Sequence, residues 1–103
     1  MKAKADIFTD DCSAALRVIS DKTRLKVVEK LFRGPANVSD MVTRLGLDQS
    51  LLSHHLKVLR DHGIVESKRV GKQVWYSLSA NRVETSKRTL NLGCCSLSFQ
   101  KGS

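Results

Sequence analysis

The sequence predicts a small α+β domain, mainly α-helical and completed by one β-hairpin. Three observations carry that expectation. Apolar residues recur at helical spacing in successive short segments between residues 10 and 61. The period changes to alternation at Ile64 and holds to Leu78. Gly34-Pro35, Gly46, Gly63 and Gly71 fall between these segments, where helices must stop or a hairpin must turn. The 103 residues suit one domain, with 10–78 as its core and 79–103 as a tail.

The first helix is expected over 10–20, with Asp10 and Asp11 at its start, where the helix dipole favours acids. Ala15, Leu16 and Ile19 share one face of it. A second helix, 22–33, has Asp21 as its N-cap and Leu25, Val28, Leu31 and Phe32 as its stripe. Asn37 caps a third, 38–45, with Val38, Met41, Val42 and Leu45 on one face. Gly46 turns the chain, and Asp48 caps a fourth helix over 49–61. Leu52, Leu56 and Leu59 anchor its inner side. Gln49, Ser50, Ser53, His54 and Lys57 occupy the outer side, while His55 packs toward the interior or its edge.

Two short helices joined through a glycine turn form a helix-turn-helix. Short polar side chains on the outer side of the second helix suit entry into a major groove. The strands Ile64–Val70 and Gln73–Leu78 follow, joined at Gly71-Lys72, with Lys68, Arg69 and Lys72 crowding the tip. A basic-tipped hairpin directly after a helix-turn-helix is a wing. In the tail, Leu90-Asn91-Leu92 and Ser96-Leu97-Ser98-Phe99 alternate and suggest extended segments. A helix beginning at Ala80 is the other reading.

Charge agrees with a polyanionic partner. The net charge is +8, and it is uneven. Residues 1–43 hold 8 basic and 6 acidic side chains, whereas 44–103 hold 10 and 4. Duplex DNA is the expected partner. Hydrophobic residues make up 41% and no apolar run approaches the ~18 residues of a membrane span. The start Met1-Lys2-Ala3-Lys4-Ala5-Asp6 has no apolar stretch behind its lysines, so a cytoplasmic protein without membrane partners is expected. A glycine-rich cofactor loop, Cys-x-x-Cys and a paired carboxylate set are all missing, so neither an enzyme nor an organic cofactor is expected. The three cysteines, Cys12, Cys94 and Cys95, are an odd set, which argues against a secreted disulfide framework. As reduced thiols, Cys94 and Cys95 are two soft ligands side by side.

The run Ile19-Ser20-Asp21-Lys22-Thr23-Arg24-Leu25 resembles the helix-opening signature of the ArsR/SmtB family of bacterial winged-helix repressors. Gln49-Ser50-Leu51-Leu52-Ser53-His54-His55-Leu56-Lys57-Val58-Leu59-Arg60 resembles that family's recognition helix. Gly63-Ile64-Val65 and Val74-Trp75-Tyr76-Ser77-Leu78 are similar to its wing, so the resemblance covers roughly 12–78. It implies a winged helix-turn-helix homodimer, paired through the first helix and the tail. Such a repressor binds an operator and lets go when an inducer, usually a metal or metalloid, arrives.

Two sensor sites of the family are absent. Val38, Ser39 and Asp40 stand where one metalloid-sensing type has Cys-x-Cys, and the tail has none of the histidines of one zinc-sensing type. Some arsenic-responsive members carry a C-terminal Cys-Cys pair, and this tail is similar to theirs. Cys94, Cys95 and Cys12 are therefore the expected inducer ligands, most naturally for trivalent arsenic or a related thiophilic metal, since soft thiolates suit such ions. Which protomer supplies Cys12 stays open. The competing readings are a repressor of the same fold whose cysteines answer oxidation or sulfane sulfur, and a DNA-binding architectural protein that senses nothing.

Overall fold

The computed structural model describes residues 4–100, with side chains from Cys12 onward. Met1, Lys2 and Ala3, read above for a leader, lie outside that range. The first helix, α1, runs Lys4–Ile19, longer at its N-terminal end than the sequence suggests. Asp10 and Asp11 therefore sit within the helix and not at its start. Leu16 is also not a core residue: it is 40% exposed, whereas Val18 and Ile19 are buried. Ala15 only packs against the edge of the core.

Helix α2, Lys22–Phe32, follows after Ser20 and Asp21 alone. Asp21 is its N-cap: its carboxylate accepts from the Arg24 backbone N–H at 3.0 Å. Val27, Val28, Leu31 and Phe32 face inward, and Leu25 lies at the margin. Helix α3 spans Val38–Leu45 and is capped by Asn37, whose side chain accepts from Asp40 N–H at 2.7 Å. Gly46 ends it at φ 64°, a left-handed conformation that glycine adopts without the usual steric cost. Helix α4 spans Gln49–Asp61, and Asp48 caps it by accepting from Leu51 N–H at 3.1 Å. The α3–turn–α4 unit is the expected helix-turn-helix.

One strand escapes sequence reading. Ala36–Asn37 forms β1, too short to show any periodicity. It pairs antiparallel with β3 (Gln73–Leu78), placing Ala36 opposite Tyr76. Strand β2 (Val65–Val70) pairs on the other edge of β3, with Val65 opposite Leu78 and Val70 opposite Gln73. This three-stranded sheet in the order β1-β3-β2, with its β2–β3 hairpin, is the wing of a winged helix-turn-helix.

The tail is extended and not a long helix. A 3₁₀ turn at Ala80–Arg82 leads into β4 (Val83–Glu84), and a second at Thr85–Lys87 follows it. Strands β5 (Thr89–Asn91) and β6 (Ser96–Ser98) complete a second sheet in the order β4-β5-β6. This sheet belongs to the same core as the helices. Leu90 is fully buried and Leu92 nearly so, within the cluster that holds Val27, Val28, Met41, Leu52, Leu56 and Leu59. Phe99 rests on Phe32, ring centroids 5.6 Å apart. Full burial of a leucine contributes about 1.5–3 kcal/mol, so Leu90 and Leu92 outweigh the weak pairing of strands this short. Among the described residues, no helix is long and apolar enough to cross a membrane.

Candidate nucleic-acid interface and thiol cluster

The outer side of α4 is built as its spacing requires. Gln49, Ser53 and Lys57 form one i, i+4 row, and Ser50 and His54 form the next. All five are exposed, while Leu52, Leu56 and Leu59 behind them have no exposure at all. The helix is thus clamped from inside and free on the outside. Lys57 is not a bare cation: its Nζ bonds the Asp61 carboxylate at 3.0 Å. That bond, with the nearby charges of Lys57, Arg60 and His62, holds the Asp61 carboxyl below its ordinary value. A phosphate approaching Lys57 meets an ammonium already shared with this carboxylate.

In the hairpin, Lys68, Arg69 and Lys72 are all exposed. The turn closes at Gly71, φ 64°. Lys68 stands across from Trp75 and Arg69 across from Val74, so the basic tip rises from a half-buried base.

Behind α4 lies a bonded group that the sequence reading did not assemble. His55 is 7% exposed, as its inward orientation predicts. Its Nδ1 accepts a hydrogen bond from Arg24 Nε at 3.0 Å, which leaves the ring proton on Nε2. Arg24 Nη1 donates to the Val18 carbonyl, also at 3.0 Å. Asp21 Oδ1 is 3.9 Å from His55 Nδ1. Burial pushes the His55 pKa down, with Arg24 and His54 adding to that and Asp21 opposing it. The ring is therefore neutral at neutral pH, and the Asp21 approach is not an ion pair there. Asp21 itself is held below the ordinary carboxyl value, chiefly by the Arg24 backbone N–H. These partners lie 31 residues apart in the chain, beyond the reach of periodicity.

The three cysteines meet. Cys12 comes from α1, and Cys94 and Cys95 come from the turn between β5 and β6. That turn is closed by Leu92 N–H donating to the Cys95 carbonyl at 2.8 Å, and by Gly93 N–H donating to Asn91 Oδ1 at 2.8 Å. Gly93, φ 97°, takes the strained position. All three sulfurs lie within 4.8 Å of one another and all three residues are half-buried. The cluster is made within one chain, so Cys12 needs no partner protomer to reach the pair.

In the structure the three sulfurs are not all free. Cys12 and Cys94 are joined as a disulfide, their Cα atoms 5.7 Å apart, well inside the span such a bridge needs. Cys95 is the free thiol, with its Sγ 3.8 Å from that of Cys94. The odd count excludes complete pairing but not one bridge between distant residues.

Comparison with known proteins places this geometry in context. Residues 21–67 match the family described as bacterial regulatory protein, arsR family. The chain is 36% identical over 66 residues to the HTH-type transcriptional regulator NmtR of Mycobacterium tuberculosis, covering 64% of this chain and 55% of the relative. It is 29% identical over 82 residues to an arsenical resistance operon repressor of Staphylococcus aureus, covering 80% and 79%. The crystal structure of the transcriptional repressor BigR from Xylella fastidiosa superposes with a TM-score of 0.69 and 33% identity, over 74% of this chain and 75% of that one. The chain spans about half the length of the first curated relatives it matches.

Proposed function

Because the chain belongs to the arsR family of bacterial regulatory proteins, we propose that it is a homodimeric transcriptional repressor. It holds duplex DNA through α4 and the wing and releases it when trivalent arsenic, or a related thiophilic metal, binds Cys12, Cys94 and Cys95. The observation that carries the inducer reading is the gathering of three sulfurs within 4.8 Å. Two equivalents of a cellular thiol open the Cys12–Cys94 bridge by exchange and leave as their own disulfide, so the two protein sulfurs gain two electrons and two protons. Arsenous acid would then exchange its three hydroxyls for the sulfurs of three thiols, whose protons leave with the hydroxyls as three waters. The arsenic lone pair needs no fourth ligand. The S. aureus relative, named for arsenical resistance, supports the same choice.

On the DNA side, Gln49, Ser50, Ser53 and His54 meet base edges, and Lys57 meets bases or backbone. Lys68, Arg69 and Lys72 meet phosphates. Two copies place two such heads on successive major-groove faces, about 10–10.5 bp apart. The inducer must prefer the released dimer: moving the balance from 1:99 to 99:1 takes about 5.5 kcal/mol of differential affinity.

A second reading has its own observation, the Cys12–Cys94 bridge. Here oxidation, or sulfane sulfur inserted between those sulfurs, is the signal. One experiment separates the two. A duplex selected from a random pool by the reduced wild-type chain is titrated with arsenite under reducing conditions. Wild type is expected to release it. The Cys94→Ser/Cys95→Ser variant is expected to bind as tightly and stay bound. Release by the double variant at the same arsenite concentration removes the thiol sensor. Wild type that ignores arsenite but releases on oxidation favours the second reading.

A further inference from the structure

Arg24 is bonded to three helices at once. Its backbone N–H is taken by the Asp21 cap at the start of α2. Its Nη1 donates to the Val18 carbonyl in the last turn of α1. The final carbonyls of a helix have no partner within it, and a cation there also suits the helix dipole. Its Nε donates to His55 on α4. A guanidinium is planar and its donors hold fixed angles, so both side-chain bonds exist together only for one placement of the α1 end relative to α4. A lysine ammonium is a single point and cannot bridge them in the same way.

The other end of that placement is the sulfur cluster. Cys12 lies six residues before Val18 on the same helix, about 9 Å along its axis. The connection from α1 to α2 has little slack: Ser20 N–H donates to the Leu16 carbonyl at 2.8 Å and Asp21 N–H to the Ile19 carbonyl at 2.7 Å. A shift of α1 caused at Cys12 therefore arrives at the Val18 carbonyl and at the guanidinium bonded to it. His55, the guanidinium's other partner, sits between His54 and Leu56, one and two residues from the exposed His54 and Ser53. The groups facing the imidazole are Arg24, Asp21 and His54.

We infer that Arg24 is a positioning residue that carries the bonding state of Cys12 to the reading helix, through the Val18 carbonyl on one side and His55 on the other. This rests on the repressor reading for its consequence, but the link itself is a property of the fold. A change at the sulfurs breaks or bends one of the two side-chain bonds. The orientation of α4 then changes without any ligand touching it.

The test compares the fully reduced chain with the chain carrying the Cys12–Cys94 bridge. Nitrogen-15 NMR of the imidazoles reads His55 directly, with no DNA present. In wild type the His55 Nδ1 resonance is expected to differ between the two sulfur states, and in Arg24→Lys it is expected not to. With the selected duplex, wild type is expected to show a ratio of affinities between the two states of about tenfold. Arg24→Lys should lower that ratio to about threefold or less, while its reduced form binds within about threefold of wild type. His55→Asn keeps an acceptor where Nδ1 was and should keep most of the ratio. A wild-type His55 resonance that ignores the sulfur state overturns the link and needs no variant to do so. An undiminished ratio in Arg24→Lys overturns it equally. Should wild type fail to bind duplex DNA at all, the repressor reading falls, and the imidazole measurement alone decides the link.

Discussion

The helix-turn-helix with its wing, residues 36–78, and the tail, residues 79–100, are built on different terms. In the first, both helices and both strands of the hairpin are long enough to declare themselves, and only the two-residue β1 is not. Helix α4 has an Asp48 cap, a leucine stripe and a polar outer side, and the hairpin has six-residue strands in full register. In the tail no strand exceeds three residues. Its shape comes from distant partners: Leu90 in the helical core, Phe99 on Phe32, and Cys94 on Cys12. It even contains a non-glycine residue in the left-handed region, Arg88 at φ 49°. Among the described residues, Arg88 Nε is buried without a partner. The comparison teaches that the surface-reading part folds by local rules, whereas the thiol-bearing part is held in place by the rest.

If that is right, the tail should share the stability of the helices and not melt ahead of them. Leu56 and Leu90 are both fully buried, one from each region. Leu56→Ala and Leu90→Ala are each expected to cost about 2–5 kcal/mol. Urea unfolding followed by Trp75 fluorescence and by far-UV circular dichroism should show one lowered transition in both variants. A Leu90→Ala transition that stays at the wild-type midpoint would separate the regions into independent units.

A smaller effect sharpens the contrast within the reading half. Ser53→Ala or His54→Ala is expected to weaken the selected duplex by about 1–3 kcal/mol per half-site contact and random duplex much less. Lys72→Ala, from the wing tip, should weaken both to the same extent. Competition binding at fixed salt measures the ratio, and a ratio unmoved by the α4 substitutions would take sequence reading away from that helix.

The smallest expected effect concerns pH. The His55 pKa is lowered from 6.5 in the folded chain, mainly by burial. Just below pH 6.5 the unfolded chain therefore binds more protons than the folded one. Stability contributed by neutral His55 is present above that pH and is lost as pH falls through the depressed folded value. Asp21 acts separately, below 3.8, because its own pKa is lowered from there. Thermal melts should decline modestly below pH 6.5 in wild type, and His55→Asn should remove that part of the decline. An identical slope in the variant would assign it to other groups.

What was legible in the sequence follows the range of the forces. Asp21, Asn37 and Asp48 announce helix starts because a cap acts within three residues. Gly46 and Gly71 announce turns because a positive φ is a property of one residue. The exposed face of α4 follows from a period of 3.6, whereas β2 is exposed throughout beyond Val65 and β3 shows no alternation of burial. Leu16 misleads because helical spacing says which residues share a face, not how far the core reaches around it. Strand β1 has two residues and exists only through its pairing with β3.

The sequence by itself thus determined the order of helices, the hairpin, the polar outer side of α4 and the presence of soft sulfur ligands at both ends of the chain. All of these depend on residues near one another. Only the tertiary structure decided that the tail is a second sheet in the common core, that Cys12 lies bonded to Cys94 within one chain, and that Arg24 joins α1 to His55. Each of these closes a loop of many residues: 82 between Cys12 and Cys94, and 31 between Arg24 and His55. The entropy cost of such closure is met by burial summed over the whole core, and no local pattern records that sum.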